Sequence, residues 1–219
     1  MGRSTGRGRR FAFVAVAAVL SGCTVAPSSS TALSAQGLTR AADGWYGIPL
    51  TVERDLPTVT LRTTSDRPFG LDDELRGTPT LLFFGYSSCP DICPIHLASI
   101  ASAMEQTRTR YDQLRVVFVS VDPERDSPER IHEFLGHFSD RMIGLHGDLA
   151  VVEDALRQLD LPGPIVEGPD PRGEGDLIGH PAQVIGFDAS GAARRVWPFG
   201  TRRADWVEDI PRIVAEWSS

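Results

Sequence analysis

Two cysteines stand four residues apart in "FFGYSSCPDICPIHLASI", residues 83–100, and each is followed by proline. Two chemistries use thiols this close: disulfide exchange and soft-metal binding. On an unbroken helix, positions i and i+4 hold their Cβ atoms about 5–6 Å apart, whereas a disulfide wants about 3.5–4.5 Å. Pro94 has no N–H and would clash with the carbonyl of Pro90 in a continuous helix. A helix is therefore expected to start near Cys93, with residues 89–92 as a turn in which the sulfurs approach or part at modest cost. The plain alternative is a static structural disulfide. It would close a tiny loop at a strand end, where open α/β sheets place their sites. A helix N-terminus favours thiolate at Cys93, which exchange and metal binding both need. The common dithiol oxidoreductase motif has two residues between its cysteines; this one has three. Zinc wants four ligands and there is no second cysteine pair. Two thiolates plus one imidazole suit Cu(I).

Five histidines are available. His96 lies three residues past Cys93 and is expected at an exposed helix position. His132 and His137 sit on an amphipathic segment and are expected to be solvated. His146, in "GLHGD", reads as a turn residue. His180 follows an acidic, Gly/Pro-rich stretch and directly precedes the strand-like "AQVIGF", a placement typical of site residues. Asp91, between the thiols, reads as a turn residue.

The surrounding pattern must hold these groups. "TVTLRTT" alternates and reads as a strand, and "FGLDDELRGT" as a turn and short connection. "PTLLFFGY" and "LRVVFVSVD" are continuous apolar runs, as strands buried on both faces are. Residues 94–110 read as a helix. Ser127, Pro128 and Glu129 supply a cap, a first-turn proline and a first-turn acid for another. "MIGLHG" is a strand candidate, residues 149–159 a helix, residues 161–176 a loop, and "AQVIGFDASGAARRVWPFG" a hairpin. Trp206, Ile210, Ile213 and Trp217 share a helical face in the last segment, where Pro211 is expected to kink or split the helix. Strands alternating with helices imply a central sheet with helices on its faces.

The first residues are read as a leader. Arg3, Arg7, Arg9 and Arg10 precede an apolar run over 11–20 that is too short to span a bilayer, and "LSGC" follows. This is a signal-peptide pattern with a lipobox-like end, predicting lipidation at Cys23. Residues 1–22 are the expected leader, 23–44 a flexible tether rich in small residues, and 45–219 one domain. The formal charge is −7, and loss of the four leader arginines makes it more negative. Such acidity argues against nucleic-acid binding. With Cys23 lipidated, the odd cysteine of three is explained, leaving Cys89 and Cys93 as a pair.

"FFGYSSCPDICPIHLASI", "VFVSVDPERDSPERI" and "GHPAQVIGFDASG", in that order, resemble the Sco (SenC) family of copper-assembly proteins. The resemblance spans about residues 56–217. It implies a thioredoxin-like α/β fold, a central mixed sheet flanked by helices with an insertion loop. It implies copper, as Cu(I) or Cu(II), held by Cys89, Cys93 and His180, and a Cys89–Cys93 disulfide as the redox-switched form. Asp122 and Asp126 match the family's acidic loop and are expected behind the ligands, not on the metal. The implied partner is the copper-bearing subunit of cytochrome c oxidase, at its copper A centre, or another copper protein. The implied place is the extracytoplasmic face of the cell membrane, through the lipid anchor. The implied role is metallochaperone; the alternative is a thiol–disulfide oxidoreductase that keeps a copper-site partner's cysteines reduced. One departure is Pro181, where the family more often has a small polar residue. A peroxidase reading lacks a Thr-x-x-Cys pattern before Cys89.

Overall fold

The computed structural model describes residues 1, 2 and 39–218. The leader assigned to 1–22, apart from its first two residues, lies outside the described residues, as do Cys23 and the tether up to residue 38. The account below concerns residues 39–218.

A two-residue strand β1 (Ile48–Pro49) opens the sheet. The alternating "TVTLRTT" gives β2 (Thr60–Thr63), which pairs antiparallel with β3 (Pro68–Gly70). The stretch expected as a turn and short connection thus supplies β3 and a short helix α1 (Leu71–Leu75), whose Leu71 and Leu75 are buried. Two buried leucines one turn apart drive that local helix more than propensity does. The apolar runs form β4 (Thr80–Gly85), buried at every position, and β5 (Arg115–Ser120). Between them lies α2 (Ile92–Thr107). Helix α3 (Pro128–Gly136) starts as read: the Ser127 side chain accepts from Arg130 N and Pro128 stands in the first turn. Strand β6 (Ile143–His146) and helix α4 (Leu149–Gln158) follow.

Residues 161–176, expected as a loop, instead contribute a hairpin. β7 (Ile165–Pro169) pairs antiparallel with β8 (Asp176–Gly179) as a separate two-stranded sheet. Its residues are exposed or half-buried, so the apolar alternation that reveals a strand against a core is missing. The last elements are β9 (Val184–Phe187), β10 (Ala193–Trp197) and α5 (Arg203–Trp217).

The main sheet has the order β1-β10-β9-β4-β5-β6-β2-β3. β4, β5 and β6 are parallel neighbours, while β9 joins β4 antiparallel. Successive right-handed crossovers in one direction put α2 and α3 on the same face. α5 packs against α2. The chain leaves β4 toward β5 on one side and returns to it through β9 on the other. The carboxyl end of β4 is therefore a switch point, where side chains from several segments converge.

α5 is continuous through Pro211. Trp206, Ile210, Ile213 and Trp217 are all buried. Burial of that face offsets the roughly 3 kcal/mol that an interior proline costs. Asp209, on the same helix and fully buried, accepts from Tyr46 N at 3.0 Å, Gly47 N at 2.8 Å and Trp197 Nε1 at 2.8 Å. Trp45 stacks on Trp217 at 5.4 Å between centroids, with the Arg212 guanidinium 4.1 Å from its ring. Residues 40–44, placed in the tether by composition, also touch this corner: Arg40 pairs with Glu208 and Asp43 with Arg195. Asp209→Ala strips one acceptor from three donors and is expected to cost about 2–4 kcal/mol in urea unfolding. Asp209→Asn, which keeps an oxygen, should lose less. Equal stability of Asp209→Ala and the parent would show that the N-terminal segment is not held by this carboxylate.

Candidate metal centre

Gly85 ends β4, and the chain turns through residues 86–91 into α2. A Cβ at Gly85 would stand 2.6 Å from Cys93 Sγ and 2.9 Å from the Phe118 ring. A side chain there would therefore displace the sulfur. α2 begins at Ile92, whose N–H is accepted by the Asp91 carboxylate. Pro94 thus falls in the first turn, where its missing N–H breaks no helical bond. The Cys93 N–H points at Cys89 Sγ, 3.5 Å away. The first sulfur caps the helix that carries the second.

His180 lies between β8 and β9. Its Nε2 is 3.6 Å from Cys93 Sγ and its Nδ1 is 3.1 Å from Pro181 O. A carbonyl only accepts, so Nδ1 carries the proton and Nε2 presents its lone pair to the sulfurs. This is the arrangement that orients a metal-binding imidazole. Phe83 and Tyr86 meet the ring edge-on at 6.0 and 5.6 Å between centroids. Sγ of Cys89, Sγ of Cys93 and a ring nitrogen of His180 lie within 4.8 Å of one another. Both cysteines are free thiols. Cys89 lines a cavity of about 300 Å³ with Tyr86, Ile92, Leu177 and His180, while Cys93 lies beneath it, fully buried. The peptide before Pro181 is trans.

The two thiols share a proton unequally. Cys89 is held down to about 4, chiefly by the Cys93 thiol donating to it, with the Cys93 N–H adding to this against the cost of burial. Cys93 is fully buried and pushed well up by desolvation, then by its bond and charge relation to Cys89. The helix start therefore favours the thiolate at Cys89, the residue that caps it, rather than at Cys93, the residue within it. The donor set suits a soft, low-coordinate cation: one thiolate is already formed, a second thiol sits beside it, and an imidazole lone pair faces both.

The remaining candidates fall in different places. Asp126 is buried behind the turn and accepts from Ser87 N at 3.0 Å and Ser120 Oγ at 2.6 Å. Burial pushes its carboxyl up, and its charge opposes ionisation of Cys93. Asp122 pairs with Arg125. His132 and His137 are exposed, as read. His146 ends β6 with Nε2 3.2 Å from Thr63 O, so it belongs to a strand end rather than a turn. His96 overturns its reading: it is fully buried, and burial holds it down to about 4. The helix face three residues past a buried cysteine also points inward, a signal the sequence carried.

Three contacts that spacing did not reveal fasten the hairpin beside the site, two to the thiol turn and one to the loop between β5 and α3. Arg172 donates to Ser88 O at 2.8 Å while paired with Asp170. Arg125 donates to Glu174 O at 2.9 Å. Ile178 N donates to the Tyr86 hydroxyl at 3.3 Å. The low Cys89 value sets a reactivity test. Alkylation of the reduced protein should label Cys89 first, with the rate falling to half near pH 4. A midpoint in the ordinary thiol range, roughly 8–9, would show that Cys93 does not hold the thiolate.

The family model described as SCO1/SenC matches residues 60–215. The chain is 33% identical over 147 residues to protein SenC of Rhodobacter capsulatus, covering 67% of this chain and 62% of that protein. It spans about half or less of the length of several other curated relatives. Among solved structures it is similar to Bradyrhizobium japonicum ScoI with copper bound, at 26% identity and a TM-score of 0.61, over 76% of this chain and 98% of that one. It is also similar to yeast Sco1 with copper bound, at 25% identity and a TM-score of 0.65, over 75% and 90% of the two chains. The fold is thioredoxin-like, with the β7–β8 hairpin inserted between α4 and β9. With the family model covering most of the chain and the ordered motifs inside that span, the chain belongs to the SCO1/SenC family.

Proposed function

We propose that this protein binds copper through Cys89, Cys93 and His180 and passes it to a copper protein, the copper A-bearing subunit of cytochrome c oxidase being the intended recipient. The observation that carries the reading is the meeting of two thiols and one imidazole within 4.8 Å. Copper is cargo here, and transfer is ligand exchange. The wet side of the site is formed by Cys89, the more exposed thiol, at 7% against 0% for Cys93. Incoming ligands displace Cys89 and His180 before the enclosed Cys93. Joining Cys89 and Cys93 in a disulfide removes both sulfur donors and closes the site. Asp122 and Asp126 act through the turn they support, since a hard carboxylate is a poor Cu(I) ligand.

We place the protein on the extracytoplasmic face of the cell membrane, held by lipid on Cys23, with residues 1–22 removed. The support is the basic start, short apolar run and "LSGC". No helix among the described residues is long and apolar enough to cross a membrane. Cys23→Ser should block processing or release the protein from membranes on fractionation. Unchanged membrane association with an unmodified Cys23 in the parent would end the anchor assignment.

A second reading rests on the thiol asymmetry. A low, more exposed Cys89 beside a high, buried Cys93 is also the layout of an attacking and a resolving thiol. In that role Cys89 attacks a partner disulfide, a mixed disulfide forms, and Cys93 as thiolate displaces the partner thiol. One experiment separates the two. Metal analysis and thiol-exchange rates are measured on the full chain with Cys89→Ser, Cys93→Ser or His180→Ala. Either cysteine change should abolish Cu(I) binding and exchange together. His180→Ala should weaken Cu(I) modestly and Cu(II) far more, because Cu(II) favours nitrogen ligands, and should leave exchange largely intact. Copper properties indifferent to His180→Ala would remove the chaperone reading's third ligand.

A further inference from the structure

His96 stands on α2 one turn beyond Cys93, yet it is not part of the ligand group. Its ring is fully buried, 5.3 Å from Phe83 and 5.9 Å from Phe199 between centroids. Its Nε2 lies 3.0 Å from Ala182 O. A carbonyl accepts, so Nε2 carries the proton and donates. Nδ1 is then a bare lone pair, buried without a partner. An apolar side chain would fill the space between the two phenylalanines without burying an unsatisfied nitrogen. What the imidazole adds is one N–H, carried by the helix that bears Cys93 and aimed at the chain two residues past His180.

The segment it meets needs such a tie. β8 ends at Gly179 and β9 begins at Val184, so His180 lies outside both ladders. Pro181 offers no N–H for any other anchor. The third ligand thus sits on a short bridge between a hairpin outside the main sheet and a core strand. Phe83 touches both imidazoles, at 5.3 Å for His96 and 6.0 Å for His180. A shift of the 180–182 backbone away from α2 would carry His180 Nε2 away from Cys93 Sγ.

We propose that His96 is a positioning residue: its Nε2–H, through the Ala182 carbonyl, sets the separation between His180 and the two thiols. This rests on the reading of Cys89, Cys93 and His180 as the copper site. His96 touches no metal and contributes no electron pair. It fixes where the nitrogen ligand stands relative to the sulfurs, and so tunes the ion that depends most on nitrogen.

The full chain carrying His96→Leu, His96→Met or His96→Gln tests this beside wild type and His180→Ala. Leu and Met keep apolar volume without a donor; Gln keeps an amide N–H. The first readout is the Cu(II) absorption and electron paramagnetic resonance spectrum with Cu(II) and Cu(I) competition. Removing a group that orients a ligand from behind costs about 10- to 100-fold in metal affinity. His96→Leu and His96→Met should show that loss for Cu(II) with altered spectra and a much smaller loss for Cu(I), and His96→Gln should restore the wild-type spectrum. The second readout needs no copper: amide hydrogen exchange over residues 182–184 should quicken in Leu and Met variants and return in Gln, with the melting temperature recorded for each. Wild-type spectra and affinity in both donor-free variants overturn the proposal. So does a copper loss that follows melting temperature and is not restored by Gln. If wild type itself takes up no copper, the site reading fails instead. Segment exchange then decides the strut: quickened in the donor-free variants it stands, unchanged it falls.

Discussion

The packing of the Cys93 sulfur against the backbone of Gly85 is the constraint on which the site depends. A Cβ at that position would fall well inside van der Waals contact with the sulfur. Glycine at the end of a strand buried on both faces lets the first turn of α2 settle onto the sheet. Close packing encloses Cys93 and raises the cost of its ionisation. The negative charge is then left to Cys89, which receives the helix N–H and stands nearer solvent. Division of the pair into a closed thiol and an open thiolate thus follows from where α2 rests on β4.

The third group comes from far along the chain. His180 is separated from the thiol turn by α2, β5, α3, β6, α4 and the hairpin. Closing so long a loop carries an entropic cost that no local contact repays. Repayment is spread over the core strands and over ties at the site's rim: two arginines donating to backbone carbonyls, a tyrosine hydroxyl accepting a backbone N–H, and a buried imidazole donating to Ala182 O. Most of these reach main chain rather than side chain, so they set backbone position while leaving the faces of the ligands free. In the copper reading such ties hold three donors together before the ion arrives, which lowers the ordering cost of binding.

Much of this was legible in the residues. The apolar runs 79–86 and 114–122 became β4 and β5, and the serine–proline–acid start became α3. The thiol pair at a strand-to-helix turn, and a histidine just before a core strand, were recognisable because both are local features. The β7–β8 hairpin was not legible: it buries little, so its composition looks like loop. α5 ran on through Pro211 because its other face is committed to the core. The spacing of His96 from Cys93 carried its inward placement; what spacing could not show is that its side of α2 faces Phe83 and Phe199, which lie 13 positions before it and 103 after.

What the sequence by itself determined is the identity and order of the chemistry: which sulfurs pair, that a helix begins beside them, and which family's motifs run along the chain. Spacing within a few residues is enough for that, because turn and helix geometry are set locally by Pro94, Asp91 and Gly85. What only the tertiary structure decided is the state of those groups. Cys89 rather than Cys93 holds the charge, His180 presents Nε2 and keeps its proton on Nδ1, and His96 lies beneath the bridge that carries His180. Protonation and tautomer depend on desolvation and on partners brought from distant segments, and neither exists until the chain has closed around them.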